Sequence, residues 1–285
     1  MTHSPLRFRL LVVAAAVLFS TGGAAIKAAS LGGWQIACFR SGLAALFLLA
    51  SFPEARRHWQ WRMAPVAVSY AATLILFVLA NRLTTAANTI FLQSAAPIYV
   101  LLLGPLILHE PSRRRDAAFV AVVVCGIACF FLGSPRAGAT APDPRRGDFF
   151  ALASGLTYAL MLVGLRWLSR KEAGPAVATI ALGNLMACAA ALPMALPAPP
   201  LHARDIAILL YLGIVQIGVA YLCLARGIPH VPAIQATTLL MAEPALNPVW
   251  TWLVHGETPG YWAVAGGALI FAATLANAWR GARLT

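Results

Sequence analysis

Long apolar runs separated by short polar connections fill the chain from residue 10 to residue 279. A helix needs roughly 20 apolar residues to cross a bilayer, and in lipid it satisfies its own backbone hydrogen bonds. The runs are too long for membrane β-barrel strands and lack their alternation of polar and apolar residues. The pattern therefore predicts an all-α integral membrane protein with ten transmembrane helices. The ten segments are 10–31, 34–52, 63–81, 86–108, 116–133, 148–168, 176–196, 206–225, 232–254 and 260–279.

One apolar segment has a counterpart in the other half of the chain. Residues 231–257 align with residues 86–110 at an offset of 147, which places Pro244 over Pro97. Each copy is an apolar run interrupted by this proline and closed by a glutamate in a turn. Proline removes a backbone hydrogen bond, so we expect both prolines to kink their helices or to mark gating positions. A broken segment repeated in two halves of a membrane protein points towards a binding site.

The longest hydrophilic connection divides the chain into two parts. It is SPRAGATAPDPRR, residues 134–146, and it is rich in proline and alanine. We interpret residues 1–133 as a first five-helix repeat and residues 147–285 as a second. Because five is an odd number, the second repeat enters the membrane from the opposite side. The sequence therefore predicts two inverted five-helix repeats, an architecture that many transporters use for alternating access.

Composition and charge agree with a membrane location. The 285 residues are 60% hydrophobic and 11% charged, with a net charge of +12 and a mean hydropathy of +0.78. No basic face with interleaved aromatic residues is present, which argues against nucleic acid as a partner. If the segments alternate in direction, fourteen Lys and Arg collect on one side and six on the other. The richer side is expected to be cytoplasmic, with both termini inside a bacterial-type inner (plasma) membrane and basic loops near anionic lipid.

The proline-centred segments also carry a family resemblance. They read SAAPIYVLLLGPLILHE in the first half and MAEPALNPVWTWLVHGE in the second. With its ten spans in two repeats, the chain resembles the EamA-type transporters of the drug/metabolite transporter superfamily. Within that superfamily it is most similar to bacterial amino-acid and metabolite exporters. The small four-helix multidrug members carry a glutamate in the middle of their first helix, where this chain has Ala14, Ala15 and Ala16.

The resemblance implies a fold and a class of cargo. The fold would be two five-span repeats, and no prosthetic group or other cofactor would be needed. The cargo would be amino acids, with aromatic or bulky hydrophobic ones suited to the tyrosine, phenylalanine and tryptophan side chains described next. The partners implied are a small-molecule substrate and the lipid bilayer. The duplicated halves already supply an internal pair, which is compatible with a monomer.

Glu243 is the one carboxylate placed deep inside a long apolar run. A charge at the bilayer centre costs about 2.5–3.5 kcal/mol or more, so Glu243 must face the bundle interior, a partner or water. On a helix it shares a face with Gln235, Asn247 and Trp250, which together can line a polar cavity. The alternative is a protonated Glu243 that is hydrogen-bonded to a neighbouring helix and only structural.

A second set of candidates lies on the third segment. Its residues are spaced by 3, 4 and 4 positions and therefore share one helix face. Aromatic and polar groups mixed on one face suit a pocket for a solute with an apolar body and polar ends. Ordinary helix packing is the alternative. The members of this stripe are Tyr70, Thr73, Phe77 and Asn81, and further candidate liners are Asn88, Gln93, Tyr99, Tyr158 and Tyr221.

Three other charged residues receive a structural interpretation from the sequence. Arg40 lies about six residues inside the second segment, where it can meet an acidic substrate or Glu243. The favoured interpretation is that it snorkels to the outer surface or pairs locally. Glu110 and Glu257 sit in turns at helix ends and are expected to cap or join helices.

Enzyme motifs are absent from the sequence. There is no glycine-rich nucleotide-binding motif, no HExxH, and no cysteine or histidine set in zinc-site spacing, so no metal is expected. The leading hypothesis is an inner-membrane secondary transporter that exports small solutes by alternating access. A nucleotide-sugar or other metabolite carrier is the alternative, although it needs several cavity cations and only Arg40, Lys27 and Arg166 are available. A non-transporting membrane enzyme or scaffold is the hypothesis from a different class.

Overall fold

A computed structural model describes residues 5–57, 59–103, 114–132, 138–169, 175–227, 230–231 and 239–282. Within these ranges the chain is helical, and the only β-pairing is an isolated bridge between Gly138 and Ala141. The helices are α1 (Pro5–Ser20), α2 (Gly22–Ala28), α3 (Gly33–Ser51), α4 (Pro53–Arg56), α5 (Ala64–Leu83), α6 (Ala86–Gln93), α7 (Ala96–Leu103), α8 (Arg114–Leu132), α9 (Pro144–Ser169), α10 (Pro175–Ala195), α11 (Ala203–Leu210), α12 (Ala220–Gly227), α13 (Ala242–His255) and α14 (Tyr261–Ala282). A 3-10 turn covers Trp61–Met63, and a π-helical segment, Tyr211–Val219, joins α11 to α12.

Six helical stretches in the described part of the chain are long and apolar enough to cross a membrane. They coincide with six of the ten apolar segments of the sequence. Two further apolar helices, Ala118–Leu132 and Tyr261–Ala276, are shorter. The six stretches are Leu6–Ala28, Gly33–Ser51, Trp61–Leu83, Pro144–Leu165, Ala176–Ala195 and Ala203–Leu224.

Several of the apolar segments are interrupted rather than continuous. A turn at Thr21 separates α1 from α2, and a turn at Ser94 and Ala95 separates α6 from α7. In the second half, a turn at Met241 immediately precedes α13. Met241 lies 147 residues after Ser94, so the turns before Pro97 and before Pro244 occupy corresponding positions. Each interruption frees backbone groups in the bundle interior for other partners.

The helix contacts of the first half recur in the second half. Each contact has a counterpart between the segments that lie five places away in the order of the ten apolar segments. In segment three α5 packs on α9 of segment six, and in segment eight α12 packs on α1 of segment one. Likewise α5 of segment three contacts α10 of segment seven, and the π-helical part of segment eight contacts α3 of segment two. The pairs α3 with α10, α8 with α14, and α6 with α13 each join a segment to its own counterpart. The architecture is therefore that of two similar halves related by an approximate two-fold exchange.

Candidate functional site

Three tyrosines from three helices meet inside the bundle. Tyr70 comes from α5, Tyr158 from α9 and Tyr221 from α12, and they belong to one apolar cluster. The rings of Tyr70 and Tyr221 meet edge to face with centroids 6.2 Å apart, and Phe19 of α1 packs edge-on against Tyr221 at 5.1 Å. Tyr70 is buried, and its hydroxyl lies beside Tyr221 and Asn184 of α10. We call Tyr70, Tyr158 and Tyr221 the tyrosine cluster.

Two glycines allow the helices around this cluster to approach closely. A Cβ atom on Gly183 of α10 would lie 2.6 Å from Cδ1 of Tyr70. A Cβ atom on Gly213 of the π-helical segment would lie 2.8 Å from the backbone oxygen of Arg40. A larger side chain at either position would have to push the helices apart. The glycines therefore fix how α5 sits on α10 and how α3 sits on the π-helical segment.

Glu243 reaches the tyrosine cluster from the first turn of α13. A helix N-terminus carries partial positive charge, which favours a carboxylate there. Its side chain is partly exposed and lies within electrostatic range of Tyr158 and Tyr221. Among the residues that the structure describes, none forms a hydrogen bond or an ion pair with the Glu243 carboxylate. Within the described part of the chain, nothing therefore occupies the carboxylate in place of a solute or a proton.

Arg40 reaches the same cluster from α3. It is only 2% exposed, and its Nε and Nη1 atoms have no hydrogen-bond partner. Its guanidinium lies within electrostatic range of Tyr70 and Tyr221. The expectation that Arg40 snorkels to the surface or pairs locally is thus wrong. The reason is tertiary, because α3 is packed between α10 and the π-helical segment and turns this position inwards.

The stripe on α5 is buried as one face, but its members contact different neighbours. Thr73 donates a hydrogen bond to the hydroxyl of Thr157 at 2.9 Å, which ties α5 to α9. Phe77 packs into an apolar cluster with Ile26 and Ile36. Asn81 donates from Nδ2 to the Phe77 carbonyl at 3.0 Å. Of this stripe, Tyr70 alone belongs to the tyrosine cluster.

The candidates on α6 and α7 fasten helices together. Asn88 donates from Nδ2 to Oδ1 of Asp148 at 3.0 Å, and Gln93 donates to the hydroxyl of Ser154 at 2.7 Å. Both contacts tie α6 to α9. Tyr99 is half-buried against an apolar cluster around Phe119. The structure does not bring these three candidates to the tyrosine cluster.

The candidates on α13 other than Glu243 face the interruption between α1 and α2. Asn247 is fully buried, and neither of its side-chain amide atoms has a hydrogen-bond partner. A Cβ atom on Gly23 would lie 2.6 Å from the Asn247 oxygen. Trp250 donates from its ring nitrogen to the Ser20 hydroxyl at 2.8 Å. Pro244 is buried in α13, whereas Gln235 and the side chain of Pro97 lie outside the described residues.

A second buried polar region lies at the end of the bundle where α2 ends. The Lys27 ammonium is 3.3 Å from Oε2 of Glu257, and both side chains are 4% exposed. Lys27 also donates to the Thr84 carbonyl at 2.8 Å. Oε1 of Glu257 accepts from the backbone N–H of Ala86, the first residue of α6, at 2.6 Å. Glu257 therefore caps α6 and joins it to α2.

Two aspartates extend this region. Oδ1 of Asp148 accepts from the Thr84 hydroxyl at 2.7 Å as well as from Asn88. Asp205 accepts from the backbone and the hydroxyl of Ser30 at 2.8 and 2.6 Å. We call Lys27, Asp148, Asp205 and Glu257 the Lys27 region. Its charges tie α2, α6, α9 and α11 at one end of the bundle.

Sequence reasoning missed some of these residues for an identifiable reason. The partner of Lys27 lies 230 positions away in the chain, and no local spacing announces it. Asn184 next to Tyr70 is a single polar residue in an apolar helix and gave no periodic signal. Arg40 did give a signal, since an arginine well inside a span with no acid one turn away lacks a local counter-ion.

The arrangement contains no candidate metal site within the described residues, where no group of three or more His, Cys, Asp or Glu comes together. The apolar helices are interrupted, they form two similar halves, and polar groups lie between them. These features define a duplicated helical membrane protein.

A model of the EamA-like transporter family matches residues 7–132 and matches residues 145–279 a second time. The chain belongs to the EamA-like transporter family, a family of membrane transporters.

Comparison with solved structures shows the same fold elsewhere. Twenty-six chains of solved structures match this one. One of them, described simply as "Crystal structure of protein", superposes with a TM-score of 0.62 at 18% identity. That match covers 93% of this chain and 96% of the other. At this identity the likeness concerns the fold alone. A search of curated protein sequences gives no match.

Proposed function

We propose that the chain is a secondary transporter of the inner membrane that exports small solutes, with amino acids as the cargo class. It crosses the membrane ten times in two inverted five-helix repeats, residues 1–133 and 147–285, joined by residues 134–146. Both termini lie in the cytoplasm, because the basic residues collect on that side. Export proceeds by alternating access, with one repeat rocking against the other around a central site.

The observation that carries the proposal is the tyrosine cluster with one free acid and one free base. Tyr70, Tyr158 and Tyr221 offer an apolar wall with polar edges, which suits an aromatic or bulky hydrophobic side chain. Glu243 and Arg40 supply opposite charges without a protein counter-ion among the described residues. A nucleotide sugar carries two phosphates and needs several cations, whereas Lys27 is already paired with Glu257. Amino acids fit the available charges better.

The proposal is tested by efflux from reconstituted vesicles. Proteoliposomes are loaded with radiolabelled phenylalanine, threonine or one of a broad panel of other amino acids. The loss of label is compared with that from liposomes that contain the same label but no protein. We expect faster efflux for phenylalanine and other bulky apolar amino acids. Efflux equal to that of protein-free liposomes for every amino acid of the panel would overturn the assignment of amino acids as cargo.

A further inference from the structure

Arg40 carries a buried charge that has no ion-pair partner among the described residues. Its guanidinium is buried, and two of its three nitrogen atoms, Nε and Nη1, have no hydrogen-bond partner. An uncompensated buried charge is among the most costly groups that a protein interior can hold. One reason for a native protein to keep such a group is that something outside the chain completes it. An anionic group is the chemical complement of a guanidinium.

The one acid near this cluster does not serve as that complement. Glu243 lies within electrostatic range of Tyr158 and Tyr221, whereas Arg40 lies within range of Tyr70 and Tyr221. Within the described residues no ion pair joins Glu243 to Arg40. Tyr221 lies within electrostatic range of both charges. Within the described residues, the acid and the base therefore do not neutralise each other.

The position of Arg40 is also held firmly. Its backbone oxygen lies against Gly213, where any side chain would collide with it, and α3 is packed on α10 along its length. The fixed backbone anchors the point from which the guanidinium extends. This matters because guanidinium donors recognise a carboxylate through a planar, often two-point geometry.

We propose that Arg40 binds the carboxylate of the transported solute and that Glu243, beyond Tyr221, receives its ammonium group, so that the site selects zwitterions. This inference rests on the proposed function and names the groups that recognise the cargo. The solute's apolar side chain then lies along the tyrosine cluster. A zwitterion brings no net charge to the site, so its binding leaves neither the arginine nor the glutamate uncompensated.

The test measures how each variant in proteoliposomes discriminates between phenylalanine and analogues that lack one of its two charged groups. Phenylalanine is compared with phenethylamine, which lacks the carboxylate, and with 3-phenylpropionate, which lacks the ammonium group, as competitors of labelled phenylalanine. For Arg40→Gln we expect the preference for phenylalanine over phenethylamine to fall by about 30-fold or more. For Glu243→Gln we expect the preference over 3-phenylpropionate to fall instead. Arg40→Lys keeps the charge but loses the two-point geometry and should fall between wild type and Arg40→Gln.

Controls separate recognition from folding. Arg82→Gln removes an arginine of α5 that donates to the Ala29 carbonyl away from the tyrosine cluster, and it should leave both preferences unchanged. Arg40→Met should melt in detergent at the wild-type temperature or above, because it removes an uncompensated buried charge. It should also lose the rise in melting temperature that phenylalanine gives the wild type. A large fall in the melting temperature of Arg40→Met would mean that Arg40 is structural, and would overturn the proposal.

The outcomes distinguish this inference from the proposed function. If wild type exports amino acids and Arg40→Gln keeps the full preference for phenylalanine over phenethylamine, the inference is overturned and the proposed function stands. If wild type moves no amino acid, the proposed function is overturned. Calorimetric titration of 3-phenylpropionate into wild type and Arg40→Gln then decides the inference, since carboxylate binding lost in Arg40→Gln supports it and equal binding in both overturns it.

Discussion

At the Lys27 end of the bundle, the buried charges have partners within the chain. Lys27 meets Glu257, Asp148 receives two hydrogen bonds, and Asp205 receives two from Ser30. At the tyrosine cluster, Arg40 and Glu243 have no such partners among the described residues. Both regions lie in the same apolar bundle and both contain an acid and a base. They differ in that each charged group of the Lys27 region has at least one hydrogen-bond or ion-pair partner within the chain, although Oδ2 of Asp148 has none.

This difference separates a structural role from a binding role. A paired buried charge fixes the geometry of the helices that carry it, and its removal leaves the partner uncompensated. An unpaired buried group adds cost to the resting protein, so it is kept where a ligand supplies the missing partner. We therefore expect substitutions in the Lys27 region to act mainly on stability, and substitutions at the tyrosine cluster to act mainly on transport.

The largest effect on stability is expected from Lys27→Met. The substitution leaves the Glu257 carboxylate buried without its cation and removes a hydrogen bond to the Thr84 carbonyl. Breaking a buried ion pair in this way costs about 3–5 kcal/mol. The midpoint of thermal unfolding in detergent should fall clearly below that of the wild type.

The double variant Lys27→Met with Glu257→Gln is the matched control. It removes both charges, and the side-chain oxygen of the introduced glutamine can still accept from the Ala86 N–H. Most of the lost stability should return. Equal midpoints for Lys27→Met and wild type would show that this ion pair does not hold α2 to the rest of the bundle.

The apolar pattern was sufficient to place most helices, because in lipid a long apolar run has no stable alternative to a helix. The 147-residue offset also relates the turn at Ser94 to the turn at Met241, since each precedes its proline by three residues. The arrangement of the site was less accessible. Tyr70 and Asn81 share a face of α5, but eleven residues of helix separate them by about 16 Å, so they meet different neighbours.

The inward placement of Arg40 depends on how α3 is rotated against α10 and the π-helical segment, which no spacing within α3 encodes. The pairing of Lys27 with Glu257 likewise arises only when the first and ninth segments meet. Local periodicity therefore predicts which residues share a helix face, and tertiary packing decides what that face touches.

An intermediate effect is expected when two asparagines in the related fourth and ninth segments are compared. Asn88→Ala removes a hydrogen bond to buried Asp148 and should cost about 1–3 kcal/mol. Asn247→Ala removes two buried amide atoms that have no hydrogen-bond partner, so stability should change by less than about 1 kcal/mol. Unfolding midpoints of the two variants, measured in one detergent, check the difference.

The same pair of variants also distinguishes an effect on stability from an effect on the rate of transport. With vesicles prepared from folded protein, Asn88→Ala should export phenylalanine at close to the wild-type rate, whereas Asn247→Ala should be slower if the unpartnered amide of buried Asn247 binds the solute during transport. A stability loss for Asn247→Ala as large as that for Asn88→Ala would contradict the contrast between completed and open polar groups.

The smallest effect on stability is expected from Glu243→Gln, and the same variant tests whether the pH dependence of transport comes from this carboxylate. The carboxylate has no hydrogen bond or ion pair within the described residues, and the amide has nearly the same shape, so no contact is lost. The titratable groups within its electrostatic range are those of Tyr158 and Tyr221 among the described residues. If Glu243 takes up and releases a proton during transport, the rate of wild-type export differs between acidic and alkaline pH, whereas the rate of export by Glu243→Gln does not.

Glu54→Gln on the exposed helix α4 is the matched control and should keep the wild-type pH profile. A Glu243→Gln profile that follows the wild type would assign Glu243 to solute binding without proton exchange, which leaves the contrast with the Lys27 region intact but removes proton coupling from the site.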